Sequence, residues 1–242
     1  MNPDFKALQK TPPALIVLDI LALLALLGAF WLVMQYAPVE VEMGLVQKVF
    51  YFHVAVSWTG MLGFLVSLVA AIAYLKTGNI KWDIAGLAGV EIGMVFMALC
   101  IITGSIWARP IWNTWWTWDP RLTTVLVMEL IYAAYLLLRS GVDDPARRAK
   151  YAAVYAIAGF VSVPLTFLSI RIFRTIHPVI VGGSNSAAAG SFAMTGRMQV
   201  AFFASLAAFS ILFAAFYWHR LRLGLLQKKL EDRKLELAME ED

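Results

Sequence analysis

Six long apolar segments restrict what this sequence can fold into. An α-helix needs about 20 apolar residues to cross a bilayer, and each segment has that length. The segments cover residues 14–36, 53–75, 84–107, 122–139, 151–173 and 198–220. With 61% hydrophobic and 15% charged residues, the chain lies far from the composition of soluble proteins. The sequence predicts an all-α, polytopic membrane protein with six transmembrane helices. We expect residues 1–220 to form one transmembrane domain and residues 221–242 to form a cytoplasmic amphipathic tail.

The distribution of Lys and Arg predicts how these helices are oriented. Fourteen of the 20 lie on one side of the six segments, and the side richer in Lys and Arg faces the cytoplasm. Both termini are therefore expected in the cytoplasm, and the loop between the third and fourth segments on the outer face. No basic stripe with stacking aromatic residues indicates binding of nucleic acid. The first segment lacks a cleavage site, so we expect it to be retained.

Five of the nine Trp residues lie between Trp107 and Trp118, next to or within the loop that follows the third segment. Pro110 and the pair Asp119-Pro120 predict that the helix is interrupted here. An aromatic belt at the membrane interface is the alternative, but a belt scatters its rings, whereas these are concentrated. So many indoles in one place predict a planar, apolar ligand that covers them.

Two of the three histidines, His53 and His177, are predicted at the outer ends of helices, level with the tryptophans. Histidine is a frequent metal ligand, and two neutral imidazoles can occupy both axial positions of a haem iron. A single interfacial His is more often a hydrogen-bonded edge residue, so it is the pairing that favours ligation. His219, at the cytoplasmic edge, is interpreted as such an edge residue. Cys100 stands alone in an apolar segment, which predicts neither a disulfide nor thiol redox chemistry.

Charged residues near these segments have both functional and structural interpretations. Arg121 is the first candidate to bind a porphyrin propionate, or it pairs with Asp119; Arg109, Arg171 and Arg174 rank behind it. A charge within the membrane costs about 2.5 to 3.5 kcal/mol on insertion scales, and no buried Lys or Arg matches the carboxylates there. We interpret these carboxylates as helix contacts rather than as a proton pathway: Asp19, Glu91 and Glu129.

The run from Trp112 to Thr123 reads W-x-x-W-W-x-W-D-x-R-L-T. With six predicted helices and one outward histidine on each side, it resembles a haem-handling family, the bacterial cytochrome c maturation protein C (haem exporter protein C) family. The resemblance covers almost the whole chain. It departs from the family pattern in two respects. The family often has Trp-Gly pairs here, whereas Ala108 and Asn113 follow Trp107 and Trp112, and Asp119-Pro120 stiffens the turn.

The resemblance implies that haem b is a transient substrate at the periplasmic face of the bacterial inner membrane, with bis-histidine ligation by His53 and His177. It implies delivery to a periplasmic haem chaperone, with an ABC transporter's permease and ATPase subunits and a small single-span membrane protein as partners, and no enzymatic reaction on this chain. The predicted haem contacts exclude Trp107 and give most weight to the later part of the run: Trp112, Trp115, Trp116, Trp118, Asp119 and Arg121.

Two other functions remain open on the residues alone. A haem-bearing electron-transfer subunit would hold its haem within the bilayer, between histidines well inside the helices. A transporter for haem or another solute would need an interior polar pathway, for which Asp19, Glu91 and Glu129 are the candidates.

Overall fold

The computed structural model describes residues 10–178 and 194–241. Within these ranges it contains six helical segments that are long and apolar enough to cross a membrane, at the positions that the sequence predicts. The expectation of an all-α, polytopic membrane protein is therefore confirmed. The helices are α1 (Pro13–Trp31, continued by a π-helical turn, Leu32–Tyr36), α2 (Gln47–Thr77), α3 (Ile80–Trp112), α4 (Pro120–Ser140), α5 (Pro145–Phe160), α6 (Ser162–Ile172) and α7 (Gly196–Glu241).

Side-chain caps explain where three of these helices begin. The Asn79 side chain accepts from the backbone N–H of Lys81 at the start of α3. Asp119 and Asp144 accept in the same way at the starts of α4 and α5, and a proline follows each aspartate, at the helix position where a missing N–H does no harm. Short turns join α2 to α3 and α4 to α5. α5 and α6 together form the fifth span.

The third helix is longer than predicted, and the prediction that Pro110 interrupts it is wrong. α3 runs through Pro110 to Trp112 and ends at Asn113, whose φ is +55°. A proline removes one helix hydrogen bond, to the carbonyl four residues earlier. Because Pro110 lies close to the end of α3, only a short part of the helix follows the missing bond. Asn is one of the few residues that adopts the left-handed conformation readily. Trp107 and Trp112 therefore lie on α3 rather than in the loop.

α2 and α3 form the most extensive helix pair of the described chain. A Cβ on Gly63 would lie 2.5 Å from the carbonyl oxygen of Gly89, and a Cβ on Gly89 would lie 2.7 Å from that of Gly63. The pair Gly89 and Gly93, whose spacing predicts a close helix approach, lies in this contact. Small residues let the two backbones touch. Such close packing holds helices together in a membrane, where the hydrophobic effect does not drive their association.

Two carboxylates inside the membrane segments have basic partners on α7. The side chain of Arg220 donates to Glu91 over 2.5 and 3.0 Å, and the ring of His219 lies 3.0 Å from the carboxylate of Asp19. The sequence-based view that no Arg matches these carboxylates is wrong for Glu91. Its partner lies far along the chain, on a helix whose rotation the sequence does not reveal. Both carboxylates join helices, α3 to α7 and α1 to α7, as expected of helix contacts.

The last helix continues without a break beyond residue 220. Its final turns are exposed and carry pairs of opposite charge three or four residues apart, Lys228 with Asp232 and Arg233 with Glu236. Such pairs stabilise a solvated helix. The tail expected over residues 221–242 is thus an extension of the sixth span, with residue 242 outside the described part.

We predict that Gly63→Ala destabilises the folded protein by about 1 to 3 kcal/mol, the usual range for overpacking, because the new methyl group would overlap the backbone of α3. The free energy of unfolding of the purified protein in detergent micelles measures this effect. Gly28→Ala is the matched control, since a Cβ there has nothing within 4 Å. Equal unfolding free energies for the two variants would contradict the prediction.

A cavity between two histidines

A cavity of about 110 Å³ lies at the end of the helix bundle where α3 joins α4. The joining segment, residues 113–119, is called the tryptophan loop below. Most of the described residues that line the cavity are apolar. They come from α2, α3, the tryptophan loop, α4 and the segment after α6: Phe50, His53, Val54, Ser57, Cys100, Ile101, Gly104, Ser105, Trp107, Trp112, Trp116, Arg121, Leu122, Val125, His177 and Pro178.

His53 and His177 both line this cavity, although 124 positions separate them in the sequence. His53 lies on α2, roughly two turns after its start, and His177 lies in the segment that follows α6. The Nδ1 atom of His177 is 3.1 Å from the carbonyl oxygen of Pro178. Because a carbonyl oxygen only accepts, Nδ1 carries the proton and Nε2 keeps a free lone pair.

The pKa of His177 is lowered to about 3. Burial is the main cause, and the positive charge of Arg121 and the proximity of His53 add to it. The imidazole is therefore neutral at physiological pH, which is the form that binds metals. Its ordinary pKa is 6.5, so the unfolded chain takes up this proton at a higher pH than the folded chain. The folded state consequently loses stability as the pH falls from about 6.5 towards 3.

Asp119 is buried and connects the start of α4 to the segment that carries His177. Its carboxylate accepts from the backbone N–H of Arg121 at 2.9 Å, from the Thr175 hydroxyl at 2.8 and 2.9 Å, and from the Ile176 N–H at 2.8 Å. The backbone N–H of His177 in turn donates to the Thr175 oxygen at 3.0 Å. Asp119 does not line the cavity. It holds in place the segment from which His177 reaches the cavity.

Arg121 is the only permanently charged residue among the described residues that line the cavity. Its Nη1 donates to the carbonyl oxygen of Thr166 at 2.5 Å, and its side chain does not pair with Asp119, which was the alternative. Arg109 bonds to the Asn113 side chain instead. The other two arginines considered from the sequence also lie outside the lining: Arg171, stacked on Phe167, and Arg174, which is exposed.

The indoles divide into two groups. Trp107, Trp112 and Trp116 line the cavity, whereas Trp115 and Trp118 lie outside it and are 59% and 75% exposed. Trp107, to which the sequence gave little weight, is thus closer to the cavity than two residues that it favoured.

The expected flat indole surface does not form in the described structure. Trp107 meets Trp112 at 89° with ring centroids 5.1 Å apart, and Trp116 meets Trp118 at 85° and 6.0 Å. Trp112 also meets the ring of His177 edge to face, at 61° and 6.4 Å. Aromatic rings prefer this geometry because the positive edge of one faces the negative face of the other. Trp107, Trp112 and Trp116 form walls of the cavity rather than a shelf.

Several lining residues were missed by the sequence analysis, although helical spacing could have revealed some of them. Ser57 follows His53 by four positions on α2, and Cys100, Gly104 and Trp107 follow one another by four and three positions on α3. Residues three or four apart share one face of a helix. The sequence shows this periodicity, but not that these two faces meet.

These features define the chemistry of a ligand for the cavity. The described residues contain no group of three or more His, Cys, Asp or Glu that could hold a metal ion alone. A metal whose other ligands come from an apolar, partly aromatic frame suits a cavity lined by two histidines and three indoles. The guanidinium of Arg121 suits an anionic group on that frame. A metalloporphyrin with carboxylate arms has all of these properties.

The chain is similar to one family of known proteins along almost its whole length. A family model described as Heme exporter protein C matches residues 3–236. Heme exporter protein C of Bradyrhizobium diazoefficiens is 31% identical over 206 residues, 84% of this chain and 75% of that protein. The protein of the same name from Rhodobacter capsulatus is 34% identical over 131 residues, 54% of each chain. That from Paracoccus denitrificans is 29% identical over 194 residues, 80% of this chain and 79% of that one.

We predict that His177 remains neutral in the folded, ligand-free protein from about pH 7 down to about pH 4, because its pKa is lowered to about 3. NMR of the protein labelled in its histidine rings measures this, with the His177→Ala spectrum assigning the signal. Arg121→Gln should raise the pKa, since it removes a nearby positive charge. A His177 signal that titrates near 6.5 in the parent protein would contradict the prediction.

Proposed function

The chain belongs to the Heme exporter protein C family, and we propose that it holds haem b at the periplasmic face of the bacterial inner membrane and delivers it for cytochrome c maturation. The observation that carries this proposal is the cavity that both His53 and His177 line. In this proposal the chain carries out no reaction of its own. It binds haem as a substrate, protects it and passes it on.

The two imidazoles supply the axial ligands of the haem iron. For His177 the free lone pair is on Nε2, since Nδ1 is bonded to the Pro178 carbonyl. The cavity of about 110 Å³ is smaller than the roughly 300 to 1,000 Å³ of a typical ligand pocket, so in this proposal it takes up only part of the porphyrin. The iron and the neighbouring part of the ring enter between the histidines, with Trp112 and Trp116 as apolar neighbours, while one edge of the porphyrin stays outside.

Arg121 binds a haem propionate in this arrangement. Its bond to the Thr166 carbonyl uses one N–H group, and a guanidinium has five, so donors remain for a carboxylate. A charge-assisted pair of this kind is favourable where water is partly excluded. Asp119 acts differently from the haem contact that the sequence suggested, because its carboxylate is occupied by the segment Thr175–Ile176. It positions His177.

Trp115 and Trp118 are suited to the transfer step. Both are largely exposed and lie in the tryptophan loop, next to the place where the porphyrin edge emerges. Exposed aromatic residues are typical of protein interfaces, so this loop is the surface on which a periplasmic haem chaperone docks. The remaining partners in this proposal are the permease and ATPase subunits of an ABC transporter, a small single-span membrane protein and membrane lipid. Residues 1–220 handle the haem, and the cytoplasmic tail begins at residue 221.

Two observations favour delivery over the alternative functions. His53 lies near the outer end of α2 and His177 outside any helix, whereas an electron-transfer subunit holds its haem deep between helices. Two of the three carboxylates that a polar transport pathway would need are engaged elsewhere, Asp19 with His219 and Glu91 with Arg220.

We predict that haem bound to the purified protein is six-coordinate and low-spin, and that His53→Ala and His177→Ala each convert it to a weakly held five-coordinate form. The double variant should retain almost no haem, because both axial bonds are lost. Absorbance spectra of the purified proteins measure coordination and haem content. Cytochrome c formation in cells that depend on each variant measures delivery.

His219→Ala is the matched control, since the third histidine lies at the opposite end of the bundle and pairs with Asp19. It should keep the parent spectrum. A double variant, His53→Ala with His177→Ala, that also keeps the parent spectrum would show that other residues bind the iron.

We predict that Asp119→Asn weakens haem binding by about 10-fold or more, because loss of the charge weakens the bonds that hold the segment of His177. Haem titration of the purified apoprotein measures the dissociation constant. Asp144→Asn is the control, as Asp144 caps α5 in the same way but lies far from the cavity. Equal haem affinity for the two variants would show that Asp119 does not act through His177.

A further inference from the structure

His53 rests against one turn of α3, and Thr103 is its hydrogen-bonding partner there. The Thr103 hydroxyl oxygen lies 3.1 Å from Nδ1 of His53. It also lies 2.7 Å from the carbonyl oxygen of Leu99 and 3.2 Å from that of Cys100. The Cys100 sulfur is a more distant neighbour of the same nitrogen, at 3.9 Å. The Thr103 hydroxyl thus has three neighbours, Nδ1 of His53 and the two carbonyl oxygens, but only one proton to donate.

The direction of the hydrogen bond to His53 follows from this proton. The 2.7 Å between the Thr103 hydroxyl oxygen and the Leu99 carbonyl oxygen is a hydrogen-bond distance, and a carbonyl can only accept, so the Thr103 proton goes to Leu99. Towards His53 the hydroxyl oxygen is then the acceptor, and Nδ1 must carry the hydrogen. The lone pair of the neutral ring is therefore on Nε2. Threonines in helices commonly bond to the carbonyl four residues earlier, so the arrangement needs no unusual backbone.

Gly104 fixes the position of the same ring. A Cβ at this residue would lie 2.9 Å from Cε1 of His53, 3.5 Å from Nδ1 and 3.7 Å from Nε2. The imidazole therefore lies directly against the backbone of α3, in space that any other side chain would occupy. Thr103 and Gly104 are adjacent in the chain. One turn of α3 therefore determines both which nitrogen of His53 carries the proton and how the imidazole ring is oriented.

We propose that Thr103 and Gly104 are the positioning residues of His53: Thr103 selects the tautomer that presents Nε2 to iron, and Gly104 sets the orientation of the ring. The inference rests on the proposed function, in which His53 is an axial ligand of haem. An acceptor at Nδ1–H makes a ligating imidazole more basic. Thr103 therefore strengthens the iron bond and stabilises ferric over ferrous haem.

Thr103→Val removes the acceptor and nearly preserves the shape of the side chain. In the purified, full-length protein titrated with haemin, we expect about 10- to 100-fold weaker binding, the usual effect of losing such a partner. The reduction potential of the bound haem should rise, because a less basic ligand stabilises ferric iron less. Thr103→Ser keeps the hydroxyl and should restore both the affinity and the potential.

Thr59→Val is the matched control for the threonine. Thr59 is buried on α2 and its hydroxyl donates to the Ala55 carbonyl at 2.8 Å, so the variant loses the same kind of helix bond without touching a histidine. It should bind haem with the parent affinity and potential. Gly104→Ala should also weaken binding, since the methyl group displaces the ring, whereas Gly28→Ala, with open space around it, should not.

The outcomes separate this inference from the proposed function. If His53→Ala loses six-coordinate haem while Thr103→Val keeps the parent affinity and potential, His53 is a ligand and the role of Thr103 is refuted. If Thr103→Ser behaves like Thr103→Val, the hydroxyl is not the cause and the inference is again overturned. If His53→Ala leaves the haem spectrum unchanged, both the axial-ligand assignment and this inference fail. Weak binding and a raised potential in Thr103→Val, reversed in Thr103→Ser, support it.

Discussion

The close contact between α2 and α3 is the constraint on which the site depends. In a bilayer, helices are held together by packing and polar contacts rather than by exclusion of water, and here Gly63, Gly89 and Gly93 let the two backbones touch. The same principle operates near the outer end of this pair, where the ring of His53 lies against Gly104. A side chain in place of these glycines would force the helices apart or move the ring. The packing of the bundle and the position of the histidine are thus set by one interface.

The tryptophan-rich run is one motif in the sequence, but its residues have two different roles in the structure: some line the cavity and one fixes a distant segment. Trp112 and Trp116 face the cavity, whereas the buried carboxylate of Asp119 is directed at Thr175 and Ile176. A buried charge needs several donors to offset its loss of hydration, and these donors belong to the segment that carries His177. The motif therefore supplies apolar surface on one side and fixes a distant part of the chain on the other.

The sequence predicted the six spans because their signal is local: a long apolar run has one stable outcome in a membrane. The sequence also predicted that His53 and His177 lie at the same end of the bundle, because the number of membrane crossings before each residue determines its side of the membrane. It did not predict that α3 continues through Pro110, because a proline near a helix end removes little hydrogen bonding. Nor did it identify Thr103 and Gly104, or pair Glu91 with Arg220. Those contacts depend on which helix faces meet, and several rotations of each helix satisfy the same apolar pattern.

The two histidines differ in how they are held, and this difference bears on transfer. His53 projects from the long helix α2 and lies against the backbone of α3. His177 lies outside the helices. The backbone N–H of the preceding residue, Ile176, donates to Asp119, and that of His177 donates to the hydroxyl oxygen of Thr175. Moving His53 away from an iron would require a shift of packed helices, whereas in the described part of the chain the segment of His177 is held by hydrogen bonds that can break singly. Under the proposed function, an incoming ligand from a chaperone would therefore replace the bond to His177 at a lower cost in free energy than the bond to His53. The Trp112 ring, in edge-to-face contact with His177, connects this histidine to the tryptophan loop, the surface that the proposal assigns to chaperone docking.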